Sequence, residues 1–311
     1  MKVYEGLDNF HPLKNAIVTT GTFDGVHIGH QKIINRLVEM EHIHGGESLV
    51  ITFWPHPRRV IAGQESKLQL ISTLDEKIVA LEKYHIRHLL IIEFNEAFSQ
   101  MSSTAFIEEI LVKKVGTKVL VIGYDHRFGR NREGSFEYLQ ANAHQYGFAV
   151  EEIPRQDVEA VGVSSTRIRQ ALIQADIETA NAYLGRPFSL RAKVVKGNQI
   201  GRTLGFPTAN LHVEEPYKII PANGTYAVKV KVRGRVFKGM LNIGFRPTLP
   251  GEKNRTIEAN LFEFTDDIYD ESVEVLFFGL IRQEIKFADL DQLAEQLVLD
   301  RTKALEVLSA Y

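Results

Sequence analysis

Cysteine is absent from the 311 residues, which excludes disulfides, thiolate metal sites and a cysteine nucleophile. Charge of one sign is scarce as well: the formal net charge is −2, so no global basic field would draw nucleic acid. Nor is there a basic stripe with interleaved aromatics on which single strands could stack. Long hydrophobic runs are missing. The longest, around Leu89 to Ile92, is far too short for a bilayer, and Met1 to Lys14 carries Asp8, His11 and Lys14 where a secretory leader would be apolar. These absences predict a cytoplasmic protein without membrane or nucleic-acid partners. The sequence carries no signal for oligomeric state.

What is present is an ordinary globular balance, 44% hydrophobic and 24% charged residues with no biased tract. The length exceeds what one core usually organises, so two domains are expected. From the start to about Tyr183, short apolar runs alternate with helical patterns, the mark of βαβ units around a mostly parallel sheet. Candidate strands are Ala16 to Thr20, Leu49 to Phe53, His88 to Ile92 and Lys118 to Ile122. After Gly185 the period changes to two: Tyr226, Val228, Val230 and Val232 alternate with Ala227, Lys229, Lys231 and Arg233. Similar runs at Arg191 to Lys196, Val236 to Ile243, Ile257 to Phe264 and Val273 to Ile281 predict an antiparallel barrel. A final helix capped by Asp289 and lined by Leu290, Leu293, Ala294 and Leu297 would cover one side. The domains are therefore drawn as 1–184 and 185–311.

Thr20 to His30 reads as a strand passing through a glycine-containing turn into a helix. Such a junction aims backbone N–H groups and the positive helix end at an anion. Gly25 and Gly29 allow close approach, and His27 and His30 can donate to phosphate oxygens from one side of the first helical turn. A surface pair of histidines or two ligands of a metal site are the competing readings. Downstream, Ser164, Ser165 and Thr166 stand at the mouth of a helix whose first turns carry Arg167 and Arg169. Hydroxyls there serve as caps or as phosphate ligands, and Arg169 can clamp phosphate bidentately. In the second half, Thr208 and Asn210 project to one side of an extended segment, where both can offer hard oxygen to Mg²⁺. The preceding Gly201, Arg202, Gly205 and Pro207 belong to a run able to wrap phosphate, although it lacks the Gly-Lys-Ser/Thr ending of a Walker loop.

The stretch Gly21-Thr22-Phe23-Asp24-Gly25-Val26-His27-Ile28-Gly29-His30 and the stretch Ser164-Ser165-Thr166-Arg167-Ile168-Arg169 resemble motifs of the bacterial bifunctional riboflavin kinase/FMN adenylyltransferases. The run from Gly197 to Leu211, with its Pro-Thr-Ala-Asn core, resembles that family's kinase signature. The resemblance covers nearly the whole chain. It implies a nucleotidylyltransferase-like α/β domain that turns FMN and ATP into FAD and pyrophosphate, then a β-barrel domain that turns riboflavin and ATP into FMN and ADP. It further implies that His27 and His30 bind ATP phosphates at the transition state. Gly21, Phe23, Asp24, Gly25, Gly29 and Asp125 would frame the nucleotide, with Ser164, Ser165, Thr166 and Arg169 holding the triphosphate. Thr208 and Asn210 would coordinate the Mg²⁺ of MgATP in a pocket inside the barrel. Glu258 would take the proton of the ribityl 5′-hydroxyl. His126 stands where the resemblance leads one to expect phenylalanine, and Trp54, the only tryptophan, reads equally as a core aromatic or a flavin platform. Asn242 to Thr248 and Asp266 to Tyr269 match the family's flap and turn regions. A member of the same family with one activity, or a flavin-binding regulator without turnover, would keep the same motifs.

Overall fold

A strand buried at every position, as Ala16–Thr20 is, needs cover on both faces, and a parallel sheet with crossover helices supplies it. The structure is a computed structural model describing residues 1–63, 66–123, 127–130, 133–153, 162–197, 205–247 and 253–311. It divides into two units, Met1–Ser165 and Thr166–Tyr311. In the first, strands β1 (Lys2–Glu5), β2 (Ala16–Thr20), β3 (Glu47–Trp54), β4 (His88–Glu93), β5 (Thr117–Gly123) and β6 (Ala149–Ile153) form one sheet in the order β1-β4-β3-β2-β5-β6. Every pairing is parallel. The four expected strands are the interior ones. The two edge strands, β1 and β6, were not anticipated, because their mostly solvent-touching residues carry no apolar run.

On one face, Ile34, Leu37 and Met40 of helix α1 (Ile28–His44) join Leu81 of helix α2 (Leu74–Glu82) over Ile17, Val50, Leu89 and Val119. On the other, Phe106, Ile107, Ile110 and Leu111 of the π-helix α3 (Phe106–Val115) join Leu139 of helix α4 (Phe136–Tyr146) over Val18, Leu49, Ile51 and Leu120. The chain runs from β2 outward through β3 to β4, then returns to place β5 on the other side of β2. Open α/β sheets bind ligands outside the carboxyl ends of strands at such a reversal. The turn that follows β2 opens there.

The second unit begins with helices α5 (Ser165–Ile173) and α6 (Ile177–Leu184), the former starting at the last residue of the first unit. Strands β7 (Phe188–Val195), β8 (Ala209–His212), β9 (Gly224–Val232), β10 (Arg235–Pro247), β11 (Lys253–Leu261) and β12 (Ser272–Arg282) close into a barrel in the order β10-β11-β8-β7-β12-β9. The pairings are antiparallel. Its interior takes Tyr226, Val228 and Val230 with Leu241, Ile243, Ile257 and Ala259, all buried, as the period of two predicts. Ala227, Met240, Phe262 and Phe278 face outward and pack beneath helix α7 (Leu290–Ser309) through Ala304, Leu308 and Leu297.

Asp289 caps α7 as expected, accepting from the Gln292 amide at 2.8 Å. The fully buried positions, however, begin nearly three turns further along than Leu290, which is 55% exposed. The inward positions are Asp300, Ala304 and Leu308. Asp300 faces inward because its carboxylate accepts from Arg282 Nε at 2.9 Å and Nη2 at 2.8 Å, an ion pair that no apolar pattern announces.

Candidate active sites

The turn between β2 and α1 is wound against ordinary preference. Phe23 (φ 47°) and Val26 (φ 43°) both take left-handed backbone, which costs side-chain-bearing residues of order 1–3 kcal/mol each. Asp24 offsets that strain: its buried carboxylate accepts from the amides of Ile71 at 3.0 Å and Ser72 at 3.1 Å. The Gly25 amide returns a bond to Ser72 Oγ at 3.0 Å. Gly25 is obligatory, since φ is 85° and a Cβ would fall 2.9 Å from Ile71 Cγ2. Phe23 is buried and sets its ring edge-on against His30, centroids 5.1 Å apart.

His27 caps α1, its Nδ1 accepting from the His30 amide at 3.3 Å. A ring that accepts at Nδ1 carries its neutral-state proton on Nε2, which is then the ring's donor. The two imidazoles stack with centroids 3.6 Å apart and planes 16° from parallel. His30 Nδ1 is buried and has no hydrogen-bond partner among the described residues. Burial, then the charges of His27 and Lys77, hold His30 well below the usual histidine value of 6.5.

Stability therefore depends on pH in a definite direction. Between the folded-state value and 6.5 the unfolded chain binds more protons at this position, so the contribution is complete above pH 6.5 and is lost as pH falls toward the folded-state value. We expect thermal melts between pH 7.5 and 5 to decline more steeply for the wild type than for His30→Gln. Parallel declines would remove His30 as the source.

Lys77 is the residue that sequence reasoning missed here. Helix α2 starts directly after Ser72 with a capping box, the Glu76 amide donating to Thr73 Oγ1 at 3.2 Å and the Thr73 amide to Glu76 Oε2 at 3.0 Å. Lys77 follows, only 1% exposed, its Nζ 3.3 Å from Thr52 Oγ1 and 5.3 Å from the centre of the Trp54 ring. Trp54 packs against the core beneath α1 and α2. No motif marks Lys77; only the fold carries α2 back to the turn.

Ser165 Oγ donates to the Asp24 carbonyl at 3.0 Å, so this hydroxyl braces the turn. Ser164 precedes it, and Thr166 and Arg169 follow on α5 in the second unit. Gly21 leaves the end of β2 beside the Phe23 ring, and Gly29 is buried in α1. Asp125 and His126 lie outside the described residues, as do Gly201, Arg202 and Thr248.

In the barrel, register builds a second constellation. Asn210 of β8 pairs with Glu258 of β11, Glu258 with Asn242 of β10, and Asn242 with Thr225 of β9. Residues opposite one another share a face, so four polar side chains form a row across four strands. Thr225 Oγ1 donates to Asn242 Oδ1 at 3.3 Å, and Thr208 Oγ1 donates to Glu258 Oε2 at 3.4 Å. Asn260 Nδ2 pins the approach to Thr208 by donating to the Pro207 carbonyl at 2.7 Å. Gly205 turns with φ 77°. A Cβ on Gly197 would fall 2.0 Å from Asn210 Nδ2, so only glycine lets that amide lie where it does.

This row occupies the face that β9, β10 and β11 turn outward beside α7, and Ile257, Ala259 and Leu261 fill the opposite face. The interior of the barrel is itself packed with side chains. Asn242 was expected only as part of a flap, and Thr225 was not anticipated. Register across four strands leaves no local trace in the sequence.

Thr208, Asn210 and Glu258 offer only oxygen, the ligand type a hard cation prefers. Among the described residues no group of three or more His, Cys, Asp or Glu could cage a metal alone. The donor set fits Mg²⁺ carried chiefly on phosphate, which needs few protein ligands.

A family model described as FAD synthetase matches residues 10–167, and one described as riboflavin kinase matches residues 184–308. The chain is 37% identical over 316 residues to the bifunctional riboflavin kinase/FMN adenylyltransferase of Buchnera aphidicola subsp. Schizaphis graminum, covering 100% of this chain and 99% of that one. It is 37% identical to the protein so described from Haemophilus influenzae, covering 96% and 97%, and 35% identical to that of Escherichia coli K12, covering 98% and 97%. A crystal structure described as a macrolide-efflux protein from Streptococcus pneumoniae superposes with a TM-score of 0.86 at 28% identity, covering 96% of this chain and 97% of that one. Among the described residues here, no helix is long and apolar enough to cross a membrane.

Proposed function

The chain belongs to the bacterial bifunctional riboflavin kinase/FMN adenylyltransferase family, and from that premise we propose which of its residues carry each of its two activities. It phosphorylates riboflavin to FMN and adenylylates FMN to FAD, with ATP as donor in both steps. We assign adenylylation to residues 1–184 and phosphorylation to residues 185–311. We also place the protein in the cytoplasm, acting on ATP, riboflavin and FMN.

In adenylylation an FMN phosphate oxygen attacks the α-phosphorus of ATP and pyrophosphate leaves. No protein nucleophile intervenes, so positioning and charge stabilisation are what the chain must supply. His27 donates from Nε2 and His30 donates beside it to the phosphate oxygens. Gly21, Gly25 and Gly29 let the main chain come close, while Phe23 and Asp24 hold the turn in shape. Ser164, Ser165 and Thr166 present hydroxyls and Arg169 clamps the triphosphate tail. Asp125 contacts the nucleotide.

In phosphorylation Glu258 accepts the proton of the ribityl 5′-hydroxyl as its oxygen attacks the γ-phosphorus and ADP departs. Thr208 and Asn210 would hold Mg²⁺, which when bound shields the charge of the phosphates. Gly201, Arg202, Gly205 and Pro207 bind the nucleotide. The observation that carries this reading is the meeting of Thr208 with Glu258 at 3.4 Å, beside Asn210 on the neighbouring strand.

Purified protein given riboflavin, ATP and Mg²⁺, with a parallel reaction started from FMN, tests it by chromatography of the products. FMN and then FAD are expected. FMN without FAD would mean that the first unit has lost its chemistry, and the absence of both would end the proposal.

A further inference from the structure

Asp24 and Lys77 place opposite charges in the buried floor of the adenylylating turn, and the chemistry above uses neither charge. Lys77 is 1% and Asp24 2% exposed. A buried ion costs several kcal/mol unless it is paired and hydrogen-bonded. The ammonium has Thr52 Oγ1 at 3.3 Å and the Trp54 ring at 5.3 Å. Burial pushes its pKa down to about 8, and the charge of Asp24 supports its proton against that. Of the neighbouring titratable groups, His30 on α1 is held neutral by burial, and Glu76 on α2 gives one carboxylate oxygen to the Thr73 amide. The carboxylate of Asp24 cannot move away, because the amides of Ile71 and Ser72 hold it.

Resting on the reading of this turn as the triphosphate site, we propose that Lys77 is a positioning residue for adenylylation: its buried ammonium cancels the Asp24 carboxylate, so that the His27–His30 turn can accept a polyanion. Without it, a fixed negative charge in a region of low dielectric faces the incoming phosphates. The effect falls on nucleotide affinity and leaves the aligned reaction alone.

The test compares Lys77→Met with Asp24→Asn/Lys77→Met, measuring FAD formation against ATP concentration and riboflavin phosphorylation in the same preparations. Lys77→Met should raise KM for ATP in FAD formation about tenfold or more, with kcat within about threefold of wild type and the kinase reaction unchanged. Removing both charges should give a KM clearly below that of Lys77→Met alone, because the uncompensated carboxylate is gone while asparagine still accepts from the two amides. Lost packing alone would not be rescued that way. An unchanged KM in Lys77→Met, or equal impairment in both variants, overturns the proposal. Should Lys77→Met fail to fold, the wild type decides: KM for ATP in FAD formation should rise as pH passes through about 8, where the ammonium loses its proton, while the kinase KM stays level. A flat adenylylation profile from pH 7 to 9 removes Lys77 alone. No FAD from the wild type at any pH removes the reading of the turn and the proposal with it.

Discussion

Glu258→Ala is expected to reduce FMN formation from riboflavin by about 10³-fold or more while leaving FAD formation from supplied FMN within about twofold of wild type. General-base catalysis contributes roughly 10²- to 10⁴-fold, and no other carboxylate joins the row that Glu258 shares with Asn210, Asn242 and Thr225. The side chain is not needed for the strand itself, whose pairing runs through main-chain bonds on both sides. Glu258→Gln separates chemistry from scaffolding. Glutamine still accepts from Thr208 Oγ1 but cannot take a proton at neutral pH, so its loss should match that of alanine. Initial rates of FMN appearance by chromatography check both variants. Substantial activity in Glu258→Gln would take the base role from Glu258, and equal loss of both activities would refute separate sites.

His30→Ala is expected to cut FAD formation by about 10²- to 10³-fold, the usual effect of removing one donor aimed at developing charge, with riboflavin phosphorylation retained. His27 calls for a different substitution because it has two tasks. Its Nδ1 caps α1, and losing a cap costs about 1 kcal/mol of stability whatever happens to catalysis. His27→Asn keeps a competent cap and loses the Nε2 donor. We therefore expect His27→Asn to melt near wild type yet form FAD about as poorly as His30→Ala. FAD formation at wild-type rates in either variant would remove that histidine from the proposed role.

The contrast between the motifs and Lys77 marks what the sequence could disclose. A strand, glycines and two histidines within eleven residues act through local backbone geometry, so their arrangement is legible as written. The alternation in β9 likewise declared its interior face before any partner was known. Lys77 reaches the turn only because α2 is delivered there by the Asp24 contacts, and the row from Thr225 to Asn210 exists only through register among four strands. Edge strands β1 and β6 lack the apolar signature that marks interior ones. On α7 an ion pair, Asp300 with Arg282, faces the barrel together with Leu297 and Leu308. Lys77 and the pairing of Glu258 with Asn210 share one origin, a contact whose two halves stand far apart along the chain.

The grip on Asp24 comes mainly from two peptide N–H groups at positions 71 and 72, not from what those residues are. Position 71 is thereby free to vary within its fit against Gly25, while position 72 is held to a hydroxyl by the Gly25 amide, provided the path of the backbone is preserved. The signature of this turn is thus partly written in shape, some fifty residues away from the letters that announce it.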